Sequence, residues 1–281
     1  MAIADFLDVL RCPVCAGPFE VDRRVLRCTE GHAFDVAKQG YVNLLTGSVT
    51  AGTADTASMV AARAEFLASG HYAAVADAVA RRSGVHQGSV VLDAGAGTGY
   101  YVSRLLDEAP DGRGLALDIS KFAARRAARA HPRIAAAVCD TWRALPVRDQ
   151  SIDVVLNVFA PRNGPEFARV LKQDGVLIVV TPTTRHLAEV ADALGLLNVD
   201  VRKEERLQRS LAADFKALRR EDHDIHLRLT PADVERLIRM GPSAWHIDHA
   251  EAARRASALG SVTATASVTI ASYRHRVRSV S

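Results

Sequence analysis

The run Val90-Val91-Leu92-Asp93-Ala94-Gly95-Ala96-Gly97-Thr98-Gly99-Tyr100 constrains this chain most. Three apolar residues lead into a carboxylate, and glycine then occupies three alternate positions. The apolar run predicts a buried parallel strand. Glycine lets the backbone turn sharply and approach a ligand with no Cβ in the way. Residues 100–106 suit a helix, so the loop joins a strand's carboxyl end to a helix N-terminus. Open α/β sheets bind nucleotide-like ligands at that place. A phosphate cradle spaces its glycines as G-x-G-x-x-G. Here the spacing is D-x-G-x-G-x-G. The leading carboxylate repels a pyrophosphate but suits the ammonium of an amino acid. A plain tight turn in another α/β fold is the alternative.

This loop resembles motif I of the S-adenosylmethionine-dependent methyltransferases. The resemblance implies S-adenosylmethionine as cofactor, held around Asp93, Gly95, Gly97, Thr98 and Gly99. A second strand is predicted over 114–119, with Asp118 near its end. An acid about twenty residues beyond a glycine loop holds a ribose diol. That feature alone also fits NAD; Asp93 and the missing G-x-G-x-x-G argue against it.

Cys12, Cys15, Cys28 and His32 are spaced C-x2-C-x12-C-x3-H. Two close ligand pairs separated by a short excursion suit tetrahedral zinc. Residues 21–27 between them suit strands. About forty residues bury little core, so zinc supplies folding free energy. With four protein ligands no position remains for a catalytic water, and the zinc reads as structural. Cys139 stands apart and reads as a buried thiol. Free cysteines at this spacing are the plainer alternative.

The chain's 281 residues hold one large domain, or one large and one small, and 48% hydrophobic residues suffice for a full core. Aromatics are only 5%, so packing rests on Ala, Val and Leu. A net charge of +4 tolerates a polyanionic partner without requiring one. Asp5 and Asp8 argue against a secretory signal, and no apolar run reaches membrane-spanning length. The expectation is a cytoplasmic protein with no membrane partner.

Residues 46–53 are rich in Gly, Thr and Ala and read as a linker. A helix follows, capped by Asp55 or Thr56, with Met59, Ala62, Phe66 and Leu67 facing inward. Three runs now stand out: F-D-x-A-x-x-G-Y-V-N-L-L from Phe34, A-R-x-x-F-L-x-x-G-H-Y from Ala62, and the glycine loop. Together they resemble the 23S rRNA guanine-N1 methyltransferases that modify a hairpin lining the peptide exit tunnel. The resemblance covers nearly the whole chain. It implies an α/β fold: a class I Rossmann-like methyltransferase with a small N-terminal zinc-binding module. The expected division is 1–45 as a zinc-binding RNA-recognition module, 46–70 as linker and helix, and 71–281 as the methyltransferase domain. It further implies a 23S rRNA hairpin as partner and a homodimer. The Ala- and Arg-rich composition points to a GC-rich genome, which favours the tylosin-type macrolide-resistance branch over the housekeeping branch at a neighbouring guanine.

The remaining candidates follow in chain order. Residues 71–82 read as a helix. The resemblance implies that Tyr72 contacts the cofactor; a core tyrosine is the alternative. Residues 120–130 form a helix with a basic face of Lys121, Arg125, Arg126 and Arg129, which also reads as simply solvated. Residues 134–140 are a third strand closed by Asp140. In class I methyltransferases an acid there holds the adenine amino group, or it caps a turn. Residues 151–161 are a fourth strand and its exit loop, ending Asn157-Val158-Phe159-Ala160-Pro161. Phe159 suits stacking on the target base, or the core; Asn157 is a hydrogen-bonding candidate. The loop has neither a cysteine nucleophile nor an N-P-P-Y sequence, which fits attack by a ring nitrogen. Residues 167–171 read as amphipathic, and residues 175–180 are a fifth strand. His186 follows it in a T-P-x-x-R-H-L run, and the resemblance carries it to the cofactor.

Residues 203–221 predict a charged helix with Leu207, Leu211 and Leu218 on one face. Arg202, Lys203, Arg206, Arg209, Lys216, Arg219 and Arg220 on it suit phosphates, diluted by Glu204, Glu205, Asp214 and Glu221. Residues 224–229 predict a strand, 231–240 a helix, and 262–270 a period-two strand suited to be the final antiparallel strand of the sheet. Removal of the guanine N1 proton needs an acceptor. Asp140, Asn157 and His186 are the candidates. A paired guanine hides N1, so the base must be extracted or lie in a loop. A small-molecule or protein methyltransferase with a structural zinc is the alternative function.

Overall fold

The computed structural model describes residues 2–47, 54–195 and 211–276. Three short antiparallel strands form the N-terminal ribbon: β1 (Phe19–Asp22), β2 (Val25–Cys28) and β3 (Ala33–Asp35). The chain then enters an eight-stranded sheet at β4 (Tyr41–Asn43). The sheet continues with β5 (Val90–Ala94), β6 (Arg113–Asp118), β7 (Ile134–Val138), β8 (Ile152–Val158) and β9 (Leu171–Pro182). Its last strands are β10 (Phe215–Leu229) and β11 (Val262–His275). Across the sheet the order is β10-β11-β9-β8-β5-β6-β7-β4. From β9 to β4 every pairing is parallel, and β11 is antiparallel to both neighbours. From β5 the chain steps to β6 and β7 on one side, then returns to β8 and β9 on the other. The carboxyl ends of β5 and β8 therefore flank a topological switch point, where such sheets bind ligands.

Helices cover both faces, as a parallel sheet requires. They are α1 (Ala57–Ala68), α2 (Ala73–Ser83), α3 (Tyr100–Asp107), α4 (Lys121–Ala127), α5 (Gly164–Val170), α6 (Ala188–Leu194), α7 (Pro231–Met240) and α8 (His249–Leu259). Thr56 caps α1 by accepting from the Met59 N–H. Met59, Ala62, Phe66 and Leu67 are buried as their spacing predicts. Thr230 and Asp233 form a reciprocal capping box on α7.

Two apolar clusters fill the two faces. One holds Phe66, Tyr72, Val75, Leu105, Leu156 and Ile270. The other joins Ile3, Phe6, Phe19 and Leu26 of the N-terminal segment to Leu92, Leu117, Val155 and Phe167. The ribbon thus shares a core with the large sheet, and Leu10 bridges to Val147. Cys139 is buried and its thiol is pushed far up by desolvation.

Two expectations are corrected. Residues 215–221 are extended rather than helical: β10 starts at Phe215 and pairs with β11 along its length. Leu211 is buried, but Leu218 sits half exposed on the strand. The hydrogen bonds of a long ladder outweigh a loose helical spacing of leucines. The strand over 262–270 is the last described strand and is antiparallel to both neighbours, as expected, with β10 on its outer side. Asp140 does not close β7, which ends at Val138; it lies in the loop beyond. Arg202, Lys203, Glu204, Glu205, Arg206, Leu207 and Arg209 lie outside the described residues, as do residues 48–53 of the linker.

Candidate active site

A cavity of about 310 Å³ opens at the carboxyl ends of β5 to β8. Asp93, Gly95, Gly97 and Thr98 line it from the glycine loop, and Asp118 from the end of β6. Asp140 and Phe159 line it from the loops after β7 and β8, and Tyr72 from the segment before α2. Gly99, Asn157 and His186 do not line it.

The glycines are required by the backbone. Gly95 has φ +83°, and a Cβ there would lie 2.4 Å from the Ala160 Cβ. Gly99 has φ +77°, and its Cβ would lie 3.0 Å from the Ala127 backbone. The loop therefore packs closely against the Phe159–Pro161 loop on one side and α4 on the other.

Asp93 is 1% exposed, and one of its carboxylate oxygens has no hydrogen-bond partner. Burial, reinforced by the charge of Asp118, pushes its pKa up to about 7. Such a carboxylate is short of a cation. Asp118 accepts from the Gly97 N–H and the Ser120 N–H, each at 2.8 Å. It thereby ties the glycine loop to the start of α4, while burial raises its pKa. Asp140 accepts from the Trp142 N–H at 3.0 Å and lies 3.4 Å from Arg143.

Tyr72 is buried, and its hydroxyl lies 3.1 Å from His186 Nε2. His186 Nδ1 lies 3.0 Å from the Ser267 carbonyl and must donate to it. Nε2 is then the acceptor, and Tyr72 donates. Desolvation lowers the His186 pKa to about 4, so the ring is neutral. Phe159 packs with both, at centroid separations of 6.2 Å to Tyr72 and 5.6 Å to His186. It keeps 41% exposure and holds φ +53°, a strained value for a phenylalanine.

Asn157 is fully buried. Its amide donates to the Ala94 carbonyl at 3.2 Å and the Pro161 carbonyl at 2.7 Å. Those bonds pin the exit loop of β8 to the end of β5. Asn157 is thus placed to position the loop and not to touch a ligand in the cavity.

Residues not singled out in the sequence also line the cavity. Arg63 of α1 forms an ion pair with Asp55 and donates to the Met240 carbonyl at 2.8 Å. All three residues line the cavity, and Arg63 passes 3.8 Å from the Cβ position of Gly97. Their signal was present: Arg63 stands inside the run that carries the resemblance, and Asp55 lies just before it. Trp142 lines the cavity and is 60% exposed, and Tyr101 contributes a buried hydroxyl with no partner. A lone loop tryptophan gives no periodic signal.

In the ribbon, the ligand atoms of Cys12, Cys15, Cys28 and His32 all lie within 4.8 Å of one another. Cys15 and Cys28 sulfurs are 3.6 Å apart; His32 Nδ1 is 3.3 Å from Cys28 and 3.8 Å from Cys12. Zinc–sulfur bonds of about 2.3 Å in a tetrahedron give edges of about 3.8 Å. These separations are of the size a tetrahedral zinc site needs.

These features match known proteins. The family described as RlmA, N-terminal, a zinc ribbon, matches residues 10–47, and the family described as Methyltransferase domain matches residues 91–175. The 23S rRNA (guanine(748)-N(1))-methyltransferase of Streptomyces fradiae is 52% identical over 89% of this chain and 90% of its own length. A Micromonospora griseorubida protein named for 23S rRNA guanine-N1 methylation is 52% identical over 96% of this chain and 98% of its own. The chain belongs to the 23S rRNA (guanine-N1)-methyltransferase family. Among solved structures, the complex of the Haloferax volcanii Trm112 methyltransferase activator with a methyltransferase matches 79% of this chain and 96% of that one. Its TM-score is 0.51 at 20% identity, a likeness of fold.

As in that family, the cofactor is S-adenosylmethionine and the ribbon's ion is zinc. The observations fit both. The orphaned carboxylate oxygen of Asp93 awaits a cation, and the glycine loop leaves room that side chains would fill. The chain is an enzyme of the class I methyltransferase fold. Among the described residues no helix is long and apolar enough to cross a membrane.

Proposed function

We propose that this chain methylates N1 of a guanine in the 23S rRNA hairpin lining the peptide exit tunnel. The guanine is the one numbered 748 in the name of the Streptomyces fradiae relative, and the outcome is tylosin-type macrolide resistance. What carries this is 52% identity to that relative over 89% of the chain. The enzyme acts in the cytoplasm as a homodimer, and residues 1–45 form the RNA-recognition module.

In the cavity, Asp93 faces the ammonium of S-adenosylmethionine and Asp118 its ribose hydroxyls. Tyr72, oriented by His186, closes the wall beside them. The bound group supplies an electrophilic methyl. The protein's task is to hold guanine N1 in line with it. Phe159 and Trp142, both exposed at the cavity, give the extracted base aromatic surfaces to stack on.

The N1 proton leaves as the methyl arrives. Asn157 commits its Nδ2 to two carbonyls, and its partnerless Oδ1 is buried and does not line the cavity. His186 is a weak base whose Nε2 already accepts from Tyr72. Asp140 remains as the cavity carboxylate for this task, with holding the adenine amine as its other reading. An Asp140→Asn variant separates the two. Loss of kcat with cofactor affinity kept supports proton transfer; loss of cofactor affinity supports the adenine contact.

The experiment is methyl transfer from labelled S-adenosylmethionine to a purified 23S rRNA hairpin transcript. Label in the RNA, absent when the guanine is replaced by adenine, is expected. No transfer to RNA by protein that binds the cofactor would favour a small-molecule or protein substrate.

A further inference from the structure

We infer that α4 is a phosphate-binding track carrying the RNA strand from the zinc ribbon to the cavity. This inference rests on the RNA substrate proposed above.

Helix α4 buries Ala123, Ala124 and Ala127 against the sheet. Its outer face carries Lys121, Arg125 and Arg126, continued by Arg129, all exposed. From position 119 to 139 the chain has no Asp or Glu. None of these four cations forms an ion pair among the described residues. Many arginines elsewhere are matched: Arg104 with Asp77, Arg113 with Asp8, Arg169 with Glu166, Arg236 with Glu65. Arg133, the next cation along, is spent on the carbonyls of Leu106, Ala109 and Gly112. A run of four exposed cations with no carboxylate partner suits an external polyanion.

Position gives the track its direction. At one end, Ser120 caps α4 directly after Asp118 and Ile119, which line the cavity. At the other end, a Cβ on Gly40 would touch the Ala128 Cβ at 3.8 Å. Gly40 belongs to the turn that leads from the ribbon into β4, and the exposed Lys38 stands in that turn. Seven helical residues span about 10 Å. The helix thus bridges the ribbon's exit and the cavity's edge with unmatched positive charge. Phe122 is 38% exposed beside Lys121, whose ammonium lies 5.3 Å from its ring centroid. An aromatic ring within a basic stripe suits a backbone-tracking groove on which a base also stacks.

The test compares the full chain with the Arg125→Ala/Arg126→Ala/Arg129→Ala variant on the hairpin RNA across a salt series. The variant's log–log salt slope should fall by about 2 units, since each neutralised phosphate contributes about 0.7–0.9. Its KM for RNA should rise, with kcat, cofactor affinity and melting temperature unchanged. Lysine at the three positions keeps the charge and should keep the slope. Arg254→Ala, which removes an exposed arginine paired with Glu251, should leave it alone. An unaltered slope and KM in the alanine variant, with the unsubstituted chain methylating RNA, overturns the track and leaves the substrate standing. A slope that falls equally in the lysine variant also overturns it, because shape and not charge is then being read. No methylation by the unsubstituted chain defeats the RNA reading itself.

Discussion

The Tyr72 hydroxyl donates to His186 Nε2 at 3.1 Å across 114 positions of sequence. This bond joins the start of α2 to the loop after β9 and fixes the tyrosine ring in the cavity wall. His186→Ala should weaken S-adenosylmethionine binding by about tenfold, the loss expected for one buried hydrogen bond. RNA affinity should be unchanged. Titration calorimetry with the cofactor and with RNA separately checks both.

The same histidine gives a pH signature. Its folded pKa, about 4, lies below the ordinary histidine value. As pH falls through that window, the unfolded chain takes up a proton that the folded chain refuses. The folded state is therefore favoured by neutral His186 at high pH and loses that advantage as pH falls toward 4. Urea unfolding at successive pH values should show the wild type losing stability on acidification more steeply than His186→Gln.

Asp93 has the opposite shift, upward to about 7. A cationic ligand needs its ionised form, so binding should release a proton where Asp93 is otherwise neutral. Cofactor affinity should rise with pH and level off above about 7. Calorimetry in buffers of different ionisation enthalpy should show proton release for the wild type and none for Asp93→Asn.

Gly95 tests the loop. Gly95→Ala adds a Cβ 2.4 Å from that of Ala160, at φ +83°. A non-glycine residue there costs about 1–3 kcal/mol in backbone strain alone. Cofactor binding should be lost. Gly95→Ala combined with Ala160→Gly should recover part of it, because the second change removes the clash but not the strain. Equilibrium dialysis with labelled cofactor measures each.

The ribbon is stapled by its ion but shares a core with the sheet through Phe19, Leu26 and Cys28. Chelation, or Cys15→Ser, should abolish RNA methylation and lower the melting temperature. Cofactor binding should survive in part, since the cavity lies at the other strand ends. Equal loss of cofactor and RNA binding would count against this division.

Much of the architecture was legible because it is written locally. Glycines at alternate positions after Val90-Val91-Leu92-Asp93 admit few backbones, and four ligands at zinc spacing admit few geometries. Pro231 marks the start of α7 in the sequence, and the structure adds the Thr230/Asp233 capping box there. What was not legible depends on distant partners. Leu211 and Leu218 fall at helical spacing, and only pairing with β11 makes residues 215–221 a strand. The three-residue β4 is too short to announce itself, and it joins the sheet because β7 offers a free edge. In the site, Arg63 faces the glycine loop only once α1 is laid over it. Asn157 read as a ligand-facing amide, but burial beneath its own loop directs it to carbonyls.

The most direct test is reverse transcription across the exit-tunnel hairpin, using 23S rRNA from cells with and without this protein. A methyl on N1 blocks Watson–Crick pairing and arrests the polymerase. A new stop at the guanine equivalent to 748 of the Streptomyces fradiae relative, lost in Asp93→Asn, is the predicted result. Full-length cDNA in both samples, with protein expressed and binding cofactor, would contradict the account.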